Sequence, residues 1–363
     1  MALFFKAQRC NRCRNSFTLI EMLVAISVLL VLLAIIGVAT QDTALVIHRA
    51  SSKFTTYATA RSAFDSMNGK LSQATLNTHL DYYATNASGV GYLQTNVTTF
   101  VPAIYGRVSD LQFIIRQNSN PQTPFNTIGN ATSPCYGQEV YFQCPAAYSS
   151  NSSYLSTQGL LNACGFYVQY CDNASFRPSM LSVSKWRYRL IQAIEPTEAF
   201  QVYTYAASDS TLWTQNIANT GPASALATDA IPLADNIIAL IVWPQLPSAQ
   251  ESVTPLVTNY IYDSQLNAAP NIQSSPPQLL TADQLPPIVQ VTMIVIDEAS
   301  AARIDTKSST PPAAIENALK GRFTVTSNYQ TDLAAVESSL SLSNIAFEVL
   351  NTAVVLRESK WSQ

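Results

Sequence analysis

The sequence predicts an α+β protein in which a long N-terminal α-helix, membrane-spanning in its first half, packs by its second half on an antiparallel β-sheet. A disulfide-stapled insertion is expected between helix and sheet. Three observations lead to this fold class. Lys6, Arg9, Arg12 and Arg14 precede an apolar run over residues 17–39 that contains one carboxylate, Glu21. Between residues 57 and 74 apolar side chains recur at alternating steps of three and four. The last half of the chain carries β-rich segments bounded by Pro, Gly or polar turns.

The apolar run is the first element. At about 1.5 Å per residue it is long enough to cross a hydrocarbon core of about 30 Å. The basic flank keeps the N-terminus cytoplasmic and places the rest of the chain outside the cytoplasm. Glu21 sits inside this run, where insertion scales put an ionised carboxylate at about 2.5–3.5 kcal/mol, so it is a functional residue in want of a partner. A secretory signal peptide cleaved after Ala39 would carry an apolar core of about 7–15 residues, far shorter than this one.

The order Ser16, Phe17, Thr18, Leu19, Ile20, Glu21 resembles the processing site of type IV pilins and of type II secretion pseudopilins. The resemblance implies that a prepilin peptidase removes residues 1–16 as a leader by cutting between Ser16 and Phe17. It further implies N-methylation of Phe17 and an assembly role for Glu21, which would meet the Phe17 amine of a neighbouring subunit. Ser16 stands where such families usually carry Gly, and its small side chain remains compatible with the peptidase. The pseudopilin at the extreme tip can lack the acid, so Glu21 implies a place just beneath it.

Residues 41–83 read as the amphipathic half of the same helix. Tyr57, Ala60, Phe64, Met67, Leu71 and Ala74 form one stripe, the pattern of a core-facing helix surface. Gly69 falls off that stripe. The segment ARSAFDSMNGKLSQATLNTHLDYY, residues 60–83, resembles minor pseudopilins of the J type and W-type minor pilins, in which an Arg-x-Ala-Phe-Asp stretch closes the long helix.

Residues 84–182 are rich in Asn, Ser, Gly and Pro, with short strand-like islands at 111–116, 140–143 and 166–170. Of the six cysteines, Cys10 and Cys13 lie in the leader, while Cys135, Cys144, Cys164 and Cys171 all fall in this stretch. In an oxidising compartment they are expected to form two disulfides, with all three connectivities open. Apolar content this thin reads as an insertion that needs such staples. The wide spacings of the four do not match structural zinc sites, and Cys10 with Cys13 makes only half of one.

Residues 183–363 supply the main sheet. Segments 185–194, 201–205, 236–243, 288–296 and 345–356 read as strands, and 313–320 and 332–340 as helices between the last two. The Pro-rich connection 270–287 reads as a surface loop. The phrases LADNIIALIVWP, LPPIVQVTMIVIDEASAARI and FEVLNTAVVLRES again resemble the J/W-type layout, and are also similar to the exported Verru_Chthon cassette protein C.

Signals for catalysis are poor. The histidines are His48 and His79, both assigned to the N-terminal helix, and no phosphate loop, metalloprotease or nucleophile-elbow motif appears. Asp297 and Glu298 beside Arg303 are the most suggestive charged cluster, and they are expected to complement a helix N-terminus. No enzyme, cofactor or metal is therefore predicted. A net charge of −3 without a basic cluster beyond the leader argues against a nucleic-acid partner. The resemblance implies instead a minor pseudopilin or minor pilin near a pilus tip. Its partners would be the prepilin peptidase, the inner membrane and other pilin-like subunits joined through the N-terminal helix. The alternative reading is a tip-borne adhesin or substrate-binding module that uses residues 84–182.

Overall fold

The computed structural model describes residues 18–93, 101–117, 137–154, 157, 159–174, 176–178, 180, 183–200, 202–205, 213–214, 230–247, 251 and 254–360, without the side chains at 48, 49, 204 and 205. The chain divides into two units, residues 1–51 and 52–363. Helix α1 (Leu19–Leu71) supplies the described part of the first and opens the second. Antiparallel β-sheets follow, so the molecule has the pilin-like α+β layout of a long apolar helix ahead of a sheet body.

In the second unit the stripe expected on α1 is the buried one: Ala60, Phe64, Met67, Leu71 and Ala74 are at most 5% exposed, and Tyr57 packs at their edge. The helix ends at Leu71, twelve residues short of the expected 83. The Ser72 hydroxyl and the Gln73 amide both donate to the Gly69 carbonyl, at 2.9 and 3.0 Å, satisfying a group the helix can no longer bond. The Thr75 N–H then donates to the Gln143 carbonyl at 2.9 Å, so the β-favouring Thr joins the sheet instead of a further turn. His79 accordingly opens a strand and does not lie on the helix.

Strands β1 (His79–Thr85), β2 (Gly91–Tyr92) and β3 (Ile104–Val108) make a small sheet in the order β2-β1-β3. The large sheet is formed by β4 (Ile114–Gln117), β5 (Gln138–Pro145), β6 (Leu161–Cys171), β7 (Arg187–Glu195), β8 (Ala230–Asp235) and β10 (Tyr262–Asp263), in the order β10-β4-β5-β6-β7-β8. A third sheet, β12-β11-β9, joins β9 (Ile237–Gln245), β11 (Ile288–Ile296) and β12 (Phe347–Val355). Every strand pairing within these sheets is antiparallel.

Two backbone positions join the large and third sheets. Asn236, with φ of 66°, separates β8 from β9; its N–H donates to Tyr188 of β7 while its carbonyl accepts from Ile296 of β11. One continuous stretch thereby changes sheets at a residue type that tolerates the left-handed region. Gly137, with φ of 89°, bridges Leu240, and a Cβ there would stand 2.3 Å from the Leu240 carbonyl oxygen, so only glycine fits.

The large sheet is covered on both faces. Phe113, Val140, Phe142, Phe166, Val168 and Leu190 face the α1 stripe and the third sheet, in one core with α4 (Ala313–Leu319) and α5 (Tyr329–Leu342). Alternate residues, Ile114, Tyr141, Tyr167 and Ile191, face Trp213 and Val202 on the other side. Val202–Tyr205, expected as a strand, is a four-residue helix, α2.

The insertion reading of residues 84–182 is therefore corrected. β4, β5 and β6 lie in the same sheet as β7 and β8, and eleven-residue β6 has ten buried residues. Order here comes from strand pairing and two-sided burial, which a count of apolar residues underestimates. Cys144, Cys164 and Cys171 are unbonded in this structure, so the strand pairing is in place without disulfides. Cys135 lies outside the described residues.

Candidate assembly and processing site

In the first unit, α1 presents apolar side chains all round. From Leu19 to Ile47 its Leu, Ile, Val and Met side chains are between 51% and 83% exposed. Such a helix is stable only where water is excluded, in a bilayer or among other apolar helices. Among the described residues it is the one helix long and apolar enough to cross a membrane.

The helix starts at a local hydrogen-bonded corner. The Thr18 carbonyl accepts from the N–H groups of Glu21 and Met22, at 3.1 and 3.3 Å. The Glu21 carboxylate reaches back to the Thr18 N–H and hydroxyl, each at 3.4 Å. Thr18-Leu19-Ile20-Glu21 thus carries the S/T-x-x-E spacing of a capping box, with Glu21 held over the positive end of the helix. These contacts are long and offset only part of the carboxylate's cost in lipid. The spacing was legible in the sequence, but the cap was not singled out there. Ser16 and Phe17 lie outside the described residues.

The remaining candidates are dispersed. The Cys144 and Cys164 sulfurs are 3.2 Å apart on β5 and β6. Cys171, at the far end of β6, lies 3.5 Å from Nη1 of Arg189, which also donates to the Cys171 carbonyl. The charged cluster is divided among separate tasks. Asp297 caps helix α3 (Glu298–Ile304) by accepting from the Ser300 N–H at 2.9 Å. Glu298 pairs with Arg187 at 3.2 Å and accepts from Asn236 at 2.7 Å, whereas Arg303 donates to the carbonyls of Ser343 and Asn344 at the end of α5. Arg187 also bonds Asp305 at 2.8 Å, making a clamp between β7 and α3 that no sequence motif announces. His79 is exposed, with Nδ1 3.2 Å from the Asn77 carbonyl, and the side chain of His48 lies outside the description.

Asp297, Glu298 and Arg303 thus serve separate local contacts and do not converge on one point. The described functional feature lies at the start of α1, where the Glu21 carboxylate is fixed by the Thr18 N–H and hydroxyl. A family model described as the prokaryotic N-terminal methylation motif matches residues 11–37 and reaches no residue of the sheets. No curated protein and no solved structure matches the chain.

Proposed function

We propose that the chain, carrying a prepilin-type methylation motif ahead of a bare apolar helix, is a structural minor pseudopilin or minor pilin of the J/W type. A prepilin peptidase cuts after Ser16, Phe17 becomes the N-methylated first residue, and the chain remains in the inner membrane as a single-pass anchor with its sheets outside the cytoplasm. It is then drawn into a type II secretion pseudopilus or a type IV pilus, near the tip. The observation that carries this reading is the motif at 11–37 on a helix whose described apolar surface from Leu19 to Ile47 is exposed. Neighbouring apolar helices would cover that surface without charge pairing, and Glu21 would add register by meeting the Phe17 amine of the adjacent subunit. Breaking such a buried pair costs about 3–5 kcal/mol.

The test separates pairing from capping. Glu21→Val should leave insertion and cleavage intact and abolish co-purification with other pilin-like proteins. Glu21→Gln keeps an acceptor for the cap but loses the charge, and it should fail in the same way. Recovery of those partners with the Gln variant would show that the cap, not the charge, is what assembly needs.

An exposed aromatic pair favours a second reading, a tip-borne adhesin or substrate-binding module. Tyr82 on β1 and Tyr105 on β3 are directly opposite, their ring centroids 4.9 Å apart, and both are more than half exposed beside the equally exposed Leu80. Paired tyrosine rings, tilted by 45° and turned to solvent, offer a contact surface that the sheet itself does not need. Replacing both with Ala should leave co-purification unchanged and reduce attachment of pilus-bearing cells to their surface; unchanged attachment would remove this reading.

A further inference from the structure

We propose that Cys144 and Cys164 are the two halves of one cross-strand disulfide, closed by a thiol–disulfide oxidant and joining β5 to β6 beneath the α1 stripe. The inference goes beyond the assembly reading, because it needs only the folded large sheet.

Register selects the pair. Cys164 lies opposite Phe142 and Cys144 opposite Asn162, which makes the two cysteines diagonal neighbours on one face of the sheet. Both belong to the core that α1 covers, at 1% and 0% exposure, and their sulfurs at 3.2 Å are already in contact. Cys171 is excluded as a partner on two grounds. β6 pairs with β7 without a register shift from Ala163 to Cys171, so side chains alternate strictly and Cys171 points to the opposite face from Cys164. It is also seven residues along the strand, about 23 Å at ~3.3 Å per residue.

In the folded unit the surroundings make the two thiols unequal. The hydrogen bond from the Cys164 thiol, helped by the nearby Lys70 ammonium and opposed by burial, holds the Cys144 thiol below its ordinary range. The same hydrogen bond and burial push Cys164 up. Before residues 60–71 dock, the thiolate of either cysteine, Cys144 for example, attacks one sulfur of the oxidant's disulfide, expelling the other as a thiolate that takes up the released proton and forming a mixed disulfide. Cys164 then loses its proton and attacks the Cys144 sulfur, expelling the oxidant's second thiol. Two protein thiols are oxidised, one oxidant disulfide is reduced to two thiols, and the two protons end on those thiols. Since neither sulfur is open to solvent, exchange precedes the docking of residues 60–71, and the finished bond is sealed under them.

The experiment uses the full chain, refolded from urea into detergent with a reduced and oxidised glutathione couple. Free thiols are then blocked with N-ethylmaleimide and the protein is digested without reductant and mapped. The peptides of Cys144 and Cys164 should be the principal linked species, and adding reductant should lower the Tm of the oxidised protein. Cys164→Ser should abolish both the link and the reductant response, whereas Cys171→Ser should leave both in place. Alkylated Cys144 and Cys164 in protein with native near-UV dichroism, or Cys144 linked mainly to Cys135 or Cys171, would overturn the pairing.

Discussion

Asp283 shows how one residue can tie loop to sheet and make the tie depend on pH. It is 3% exposed, with φ of 52°, and its N–H donates to the Ser264 carbonyl at 2.6 Å while its own carbonyl accepts from the Thr78 hydroxyl at 2.6 Å. Burial pushes its carboxyl up to about 7, against the pull of the Ser109 N–H and the Arg107 guanidinium. The folded value thus lies above the ordinary 3.8, so between these limits the native state holds a proton that the unfolded state has released. Its contribution is fully present below about pH 4 and is lost as pH rises to about 7, a fall on the order of a few kcal/mol. Urea denaturation of Asp283→Asn across that window should lack this fall, and an unchanged slope would contradict the assignment. Such sites are invisible in a sequence, because the groups around Asp283 come from residues 78, 107, 109 and 264, which only the fold assembles. Glu21 was legible for the opposite reason, since everything that marks it lies within five residues. The Arg187 clamp, whose partners are 111 and 118 residues away, was not.

Among the elements, those whose pattern is local and continuous matched their expected bounds best. β11 spans 288–296 as read from its apolar run, β12 and α4 differ by two residues or fewer at either end, and α5 begins three residues earlier than expected. β9 continues through Pro244 because that residue lies opposite Val289 on the sheet's outer strand, where a missing N–H is tolerated. Elements that were missed or shortened, among them β1, β3, β5, β6 and β8, owe their order to strand partners outside their own segment. Gly91 and Gly106 both press against Pro270, so even the small sheet depends on a connection that reads as a plain surface loop. Within α1 the stripe was correct and the end was not, because capping by Ser72 and Gln73 competes with propensity over a single turn. Gly69 offers a clean test of helix energetics: it is exposed and a Cβ there would meet nothing within 4 Å. Gly69→Ala should stabilise the second unit by about 1 kcal/mol in denaturant melts; a loss of stability would mean that the helix needs the flexibility at this point.

At the scale of the whole molecule the chain combines two kinds of surface. The described residues of 52–363 build a buried apolar core among sheets and helices as an ordinary globular unit does, while the described residues before 52 leave their apolar side chains exposed. An apolar helix exposed in this way needs a bilayer or other apolar helices around it, and the methylation motif at residues 11–37 marks it as the N-terminal helix of a prepilin-like chain. The N-terminal half of this reading was legible because processing motifs are linear strings recognised before folding, whereas the division of the sheets was not, because strand order is a property of pairing. Processing at Ser16 and Phe17 is the claim on which the assembly role rests. Mass spectrometry of the protein extracted from membranes tests it directly: the first residue should be N-methylated Phe17, and a chain that begins at Thr40 or still carries residues 1–16 would contradict it.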